Sequence, residues 1–164
     1  ALALLRDKVG QDVNLARSGS GQGNFDPVQT LAARLGLSSR VFFLGFVTTE
    51  ELIYLYENAA VLAYVSFSGP ENLPPLEAFS LGCPVVISDY PGAREQVGEA
   101  GIFVNPLSPE EIAEAIRALL EGGDLRRGLI ELGRKRADER NANNYVRGIF
   151  SILDEFEATR RCWK

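Results

Sequence analysis

Short runs almost without polar residues most limit how this chain can fold: Val41 to Leu44 (VFFL), Ala60 to Val65 (AVLAYV), Pro84 to Ser88 (PVVIS) and Gly101 to Val104 (GIFV). Successive side chains of a strand point to opposite faces, so a strand apolar at every position must be covered on both. Between the runs lie segments whose apolar residues recur at helical spacing, such as TTEELIYLYENA, LEAFSLG and EIAEAIRALL. This alternation predicts an α/β domain, a Rossmann-like parallel sheet sandwiched by helices.

The boundaries follow from local signals. Ala1 to Val9 reads as the end of a helix, Gln11 to Arg17 as a short strand, and Ser18 to Asn24 (SGSGQGN) as a Gly-rich loop. Asp26 is expected to cap a helix with Pro27 at its first position, running to about Leu35 and stopped by Gly36. Thr48 or Thr49 caps the helix after VFFL, with Glu50 and Glu51 in its first turn. Leu73-Pro74-Pro75 opens a helix that ends at Gly82, and Ser108-Pro109-Glu110-Glu111 starts another. Two further helices are expected over Leu125 to about Arg140 and about Asn143 to Thr159. No repeat or linker divides the 164 residues, so one domain, 1–164, is expected. Open sheets of this kind bind ligands outside the carboxyl ends of their strands. The loops after Arg17, Leu44, Val65 and Ser88 are therefore where a site belongs.

Composition narrows the chemistry. The chain has no histidine, which removes Ser-His and Cys-His hydrolytic schemes and most zinc sites. A net charge of -5, with no Lys/Arg-rich stretch, argues against nucleic acid as a partner. Cys83 lies in an apolar run and reads as a core residue, while Cys162 is close to the end of the chain. No apolar run reaches the roughly 20 residues of a membrane span, and the start lacks a signal-peptide layout. A cytoplasmic location, with no transmembrane segment, is the expectation. Methionine is absent as well, so Ala1 is expected to lie inside a longer natural protein.

The most informative stretch is Ser66 to Glu77, SFSGPENLPPLE, between a buried strand and a helix. Prolines at a helix start lose no hydrogen bond and set the chain direction. The amides of Asn72, Leu73 and Leu76 are left to face whatever lies ahead of the helix. Such an end carries roughly half a positive charge, so a phosphate or pyrophosphate suits it. Glu77, about one turn inside, offers a carboxylate that can accept two hydrogen bonds from a vicinal diol such as a ribose. The plainer alternative is that the loop residues serve turn geometry and Glu77 complements the helix dipole.

VFFLGFVTTEELIYLYENAAVLAYVS, followed by LPPLEAFSLGCPVVISDYPGAREQVGEAGIFVNPLSPEEIAEAI, resembles the C-terminal domain of the family 4-type retaining glycosyltransferases, the glycosyl transferases of group 1. These have the two-Rossmann-domain GT-B fold. The similarity is collinear over nearly the whole chain and most specific from Leu73 to Asp89. It implies the donor half of an enzyme that transfers a hexosyl group from a nucleoside-diphosphate sugar to an acceptor, with retention. No cofactor is implied, and no metal, as no Asp-x-Asp occurs in the loops. Glu77 matches the second glutamate of the family motif and would hold the ribose hydroxyls. Leu73 and Asn72 would lie against the pyrophosphate, and Gly45 and Phe46 near the base. The family's first glutamate, which contacts the transferred sugar, falls on Gly69, and Glu71 would reach that place only if the loop is re-routed through Gly69-Pro70. The family's first strand, with an Arg and a Lys that neutralise the pyrophosphate, precedes the start of the resemblance. The partner implied is the enzyme's own N-terminal acceptor-binding domain, with peripheral membrane contact in some members.

Two rival readings remain from other classes: a degenerate binding or scaffold module, motivated by Gly69, and a sugar-nucleotide epimerase, opposed by the Leu73–Glu77 motif. The Gly-rich Ser18–Gly23 segment does not match G-x-G-x-x-G and reads as a flexible crossover. Glu95 is expected to cap or brace a helix. Of Tyr54 and Tyr56, at least one is expected in the core. Arg126, Arg127, Arg134, Lys135 and Arg136 are expected to form a solvated helix face.

Overall fold

Backbone hydrogen bonding turns the apolar runs into strands in the computed structural model, which describes residues 1–10, 12–20, 23, 25–67 and 73–162. In chain order the elements are α1 (Leu2–Val9), β1 (Leu15–Ser18), α2 (Phe25–Arg34), β2 (Val41–Gly45), α3 (Thr49–Asn58), β3 (Leu62–Tyr64) and α4 (Leu73–Ser80). They continue with β4 (Val85–Ser88), α5 (Pro91–Val97), β5 (Gly101–Val104), α6 (Pro109–Glu121), α7 (Gly123–Glu139) and α8 (Ala142–Arg161). The expected elements occur in the expected order, and one more is present: α5 forms over Pro91–Val97, which the sequence reads as a loop. Several boundaries differ. Strand β1 begins only at Leu15, and α2 begins at Phe25, so Asp26 sits inside the first turn and complements the dipole instead of capping.

Thr48 settles the choice at the start of α3. Its hydroxyl accepts from the Glu51 amide at 3.2 Å, and the Glu51 carboxylate accepts from the Thr48 amide at 2.8 Å. This reciprocal arrangement satisfies two backbone donors that a helix start otherwise leaves to water. Ser108 caps α6 through the Glu111 amide at 3.2 Å, and Asn141 caps α8 through the Asn144 amide at 2.9 Å.

All pairing is parallel. Strands β3, β4 and β5 form one sheet with β4 central, and β1 pairs with β2 in a second. Val85, Val86, Ile87 and Ser88 of β4 are almost fully buried. Val85 and Ile87 pack with Tyr56, Ala78, Phe79 and Val97 on one face, while Val86 packs with Val104, Leu119 and Leu129 on the other. Two-sided cover, inferred from the apolar runs, thus holds for β4. It does not hold for β1 and β2, where Leu15, Phe42 and Leu44 are 41%, 46% and 41% exposed.

The sheet is also divided, where the sequence predicts one continuous array. Among the described residues, strand β1 is bonded only to β2, and β3 only to β4. In a parallel ladder alternate residues bond to opposite neighbours. The Leu15 amide donates to Arg40 and the Leu62 amide to Pro84, so the peptide groups of Ala16 on β1 and of Val61 and Ala63 beside and within β3 face the other way. Between these two edges runs a groove of about 480 Å³, lined by Leu15 and Ala16 on one side and by Val61, Leu62 and Ala63 on the other. Leu5 of α1 and Leu55 of α3 also line it.

Helix α7 fastens the β3–β5 half together. Arg126 donates to the Ala60 carbonyl just ahead of β3, and Arg136 to the carbonyls of Gln96, at 2.8 Å, and Glu95. The guanidinium of Arg134 lies over Gly82. Arg126 and Arg136 thus bind backbone instead of forming a solvated face as expected, whereas Arg127, paired with Asp124, Arg134 and Lys135 are exposed and fit that expectation. Helix α7 approaches α4 closely because residue 133 is glycine: a Cβ there would stand 2.7 Å from a ring carbon of buried Phe79. Gly133→Val is therefore expected to destabilise the domain by about 1–3 kcal/mol or more. Thermal unfolding would register a fall of roughly 2–4 °C per kcal/mol, and an unchanged transition would contradict this packing. Helix α8, by contrast, is exposed along its described length, with Tyr145, Ile149, Ile152 and Phe156 on the surface.

Candidate functional site

Helix α4 starts at Leu73, as its prolines predict. Pro75 is buried, Pro74 is half-buried, and Leu73 is 55% exposed. Two consecutive residues without an N–H remove two donors that the first turn could not have bonded internally, so the turn forms without that loss. Glu77 follows one turn later and is exposed. Its carboxylate Oε2 accepts a hydrogen bond from the Tyr56 hydroxyl of α3 at 3.1 Å. Tyr56 is 8% exposed and packs with Ala78 and Phe79. Burial first, and the neighbouring Glu77 carboxylate second, push the Tyr56 phenol well above its ordinary pKa. It stays protonated, and a donor, over the whole ordinary pH range.

At the carboxyl end of β3, the Ser66 amide donates to the Ser88 hydroxyl at 2.8 Å, tying the strand's exit to β4. The Ser66 hydroxyl is buried and has no hydrogen-bond partner among the described residues. It stands at the entrance to the loop that carries Gly69, Pro70, Glu71 and Asn72; those four residues lie outside the described residues.

Gly45 and Phe46 close the carboxyl end of β2. Gly45 adopts φ +67°, a left-handed conformation that glycine alone takes without strain, and open space surrounds the position a Cβ would occupy. Phe46 is 85% exposed. Both line a cleft of about 360 Å³ together with Gly19, Ser20 and Arg17 at the carboxyl end of β1. The structure thus brings Gly45 and Phe46 together with the Gly-rich segment, and places Glu77 and Leu73 on α4. Helix α3 joins the two groups, beginning just after Phe46 and carrying Tyr56. A larger cleft, about 650 Å³, lies elsewhere between α1, β5 and α6 and holds none of the expected residues.

The loop after β4 is structural. Asp89 accepts a two-pronged bond from Arg94 at 2.6 and 2.7 Å, and Arg94 lies 4.6 Å from the Phe103 ring centre. The Arg94 guanidinium holds the Asp89 carboxyl below its usual range. Glu95 braces through its carbonyl, which Arg136 and Arg140 both grip. Cys83 is a buried core residue whose thiol pKa is raised by burial, and Tyr54 is 65% exposed. Among the described residues no cluster of Cys, Asp and Glu could hold a metal ion, and no helix is long and apolar enough to cross a membrane.

Sequence reasoning missed two residues here. Tyr56 was read only as a core candidate, because helical periodicity gives no sign that its hydroxyl reaches across to α4. Arg17 was read as the end of a strand, although it lines the cleft beside Gly45.

The sequence model of the family described as glycosyl transferases group 1 matches residues 1–136. The chain is similar to an uncharacterized glycosyltransferase of Methanocaldococcus jannaschii, 32% identical over 131 residues that make up 79% of this chain and 33% of that protein. Among solved structures, sucrose-phosphate synthase from Thermosynechococcus elongatus matches with a TM-score of 0.76 at 26% identity, covering 88% of this chain and 38% of that one. Anabaena HepE, solved in complex with UDP-glucose, matches with a TM-score of 0.79 over 93% of this chain and 44% of that one; its 24% identity speaks for the fold alone. The chain spans about a third of the length of curated relatives that it matches.

Proposed function

Because this chain belongs to the group 1 glycosyl transferases, we propose that it is the donor half of a longer two-domain enzyme and holds the nucleotide of a nucleoside-diphosphate sugar. The observation that carries the reading is Glu77, an exposed carboxylate on the first turns of α4, fixed by a buried tyrosine hydroxyl. It sits on the helix that follows the carboxyl end of β3, and in open α/β sheets ligands bind outside the carboxyl ends of the strands. In this reading the Glu77 carboxylate takes the ribose hydroxyls. The start of α4, with the amides of Leu73 and Asn72, faces the pyrophosphate. Gly45 and exposed Phe46 lie against the base.

The reaction proposed is transfer of a hexosyl group with retention. The donor's own phosphate helps to deprotonate the acceptor, and the chain's contribution is positioning and stabilisation of the departing phosphate by amides and helix dipole. Glu71 is proposed to contact the transferred sugar. If Glu71→Ala in the full-length protein leaves turnover unchanged, that assignment is wrong. The acceptor is assigned to an N-terminal domain of the longer protein, against which the exposed apolar face of α8 would pack. The groove between β1 and β3 is proposed to receive one further parallel strand, which would place the sheet's change of direction beside α4. A degenerate module that binds without catalysis remains a second reading because Gly69 stands where the family has glutamate.

Ligand-observed NMR of the chain with UDP, GDP, ADP and their hexose conjugates tests the donor reading. Binding of one nucleotide by the wild type, lost in Glu77→Ala, is the expected result. Binding that Glu77→Ala leaves intact would overturn the assignment of the ribose, and consumption of no sugar nucleotide by full-length protein would favour the non-catalytic module.

A further inference from the structure

Glu77 presents a physical question that its position alone does not answer. An exposed glutamate side chain has three rotatable bonds before its carboxylate and loses rotamer freedom when a ligand fixes it. Here it is fixed already. The Tyr56 hydroxyl donates to Oε2 at 3.1 Å, and the ring behind that hydroxyl is held by Ala78, Phe79 and Cys83 in the core. Tyrosine reaches this point with only two side-chain torsions, both confined by burial at 8% exposure. The bond occupies one of the roughly four lone-pair directions of the carboxylate. Among the described residues Oε1 takes part in no hydrogen bond, and Oε2 in none besides that from Tyr56.

We propose that Tyr56 is a positioning residue: it holds the Glu77 carboxylate in the orientation that accepts a vicinal diol, so the ligand does not have to order it. The role rests on the donor reading above. Tyr56 touches no ligand itself and acts only through Glu77. A ligand that meets a carboxylate already aimed binds more tightly than one that must order it. The core placement of the ring is what makes the tether stiff, and α3 and α4 packing brings donor and acceptor together from residues 21 positions apart.

Tyr56→Phe tests this, because it removes the hydroxyl and keeps the ring. The domain should remain folded, since the carboxylate that loses its partner is exposed and returns to water; an unchanged circular dichroism spectrum checks it. The first readout needs no ligand. Carbon-13 relaxation of the Glu77 side chain should report an ordered carboxylate in the wild type and, in Tyr56→Phe, mobility equal to that of the exposed Glu57. Equal Glu77 order in both proteins would overturn the proposal.

The second readout compares UDP, GDP and ADP with their 2′,3′-dideoxy counterparts. The wild type should favour the ribonucleotide it binds, and Tyr56→Phe should weaken that nucleotide by roughly tenfold while leaving its dideoxy counterpart within about twofold. Equal weakening of both forms would mark Tyr56 as merely structural and overturn the role. Discrimination that survives Tyr56→Phe and disappears in Glu77→Ala would overturn this role and leave the donor reading standing. A wild type that does not discriminate at all would overturn the donor reading and the role with it.

Discussion

Appending an extended apolar strand of about five residues and a short turn ahead of Leu2 is expected to raise the melting temperature by roughly 5 °C or more. The reason lies in the two facing strand edges. Ala16 on one side, and Val61 and Ala63 on the other, direct peptide groups into a groove between them, and Leu5, Leu15, Leu55 and Leu62 line it with apolar surface. A strand seated there would satisfy both edges and cover β1 and β3 at once. Each buried valine or isoleucine contributes roughly 1.5–3 kcal/mol before the entropy of ordering is subtracted. A parallel strand before α1 requires only the short strand-to-helix connection usual in such units, about 2–6 residues. A control extension with proline at its centre cannot complete the ladder and should give no gain. Hydrogen exchange supplies the residue-level test: the amides of Ala16, Val61 and Ala63 should slow with the first extension and not with the second. Unchanged exchange at all three would show that the groove does not take a strand. If they do slow, nucleotide affinity should rise with them, because the added strand ends beside α4.

The largest loss of stability is expected from Phe79→Ala, at about 3–5 kcal/mol. Phe79 is 1% exposed, lies in the cluster beneath β4 and fills the space opposite Gly133. Its removal opens a cavity between α4, α7 and the sheet, where backbone contacts fix the surroundings and limit collapse. Domains are stable by only about 5–15 kcal/mol in total, so the variant should unfold at much lower denaturant concentration with an unchanged slope. A midpoint within experimental scatter of wild type would mean that Phe79 is not the pin between α4 and α7. The loss would also reach the site, because α4 carries Glu77 and α3 holds it through Tyr56, which shares the Phe79 cluster.

Local chemistry made much of the candidate site legible. The prolines at 74 and 75 announced where α4 starts, and the glycine after VFFL announced a turn at the strand's carboxyl end. Glu77 was identifiable from its place one turn into that helix and from the family motif. Its tether to Tyr56 was not, because a bond across 21 residues depends on how α3 packs on α4. The arginines of α7 were misjudged for the same reason. A basic helix looks solvated in sequence, but Arg126 and Arg136 reach carbonyls 66 and 40 residues away.

The sequence by itself determined the order and type of every element but α5, because apolar periodicity, caps and turn residues act over a few neighbouring positions. It also pointed to the strand ends whose loops form the candidate site. Only the tertiary structure decided that β1 and β2 stand apart from β3, β4 and β5, with two unpaired edges facing across a groove. An apolar run states that a strand is suited to burial; it does not state that a neighbour is present to bury it. Pairing and cover are relations between distant segments, and that is why VFFL and PVVIS, equally apolar as sequences, end with one half exposed and the other sealed in the core.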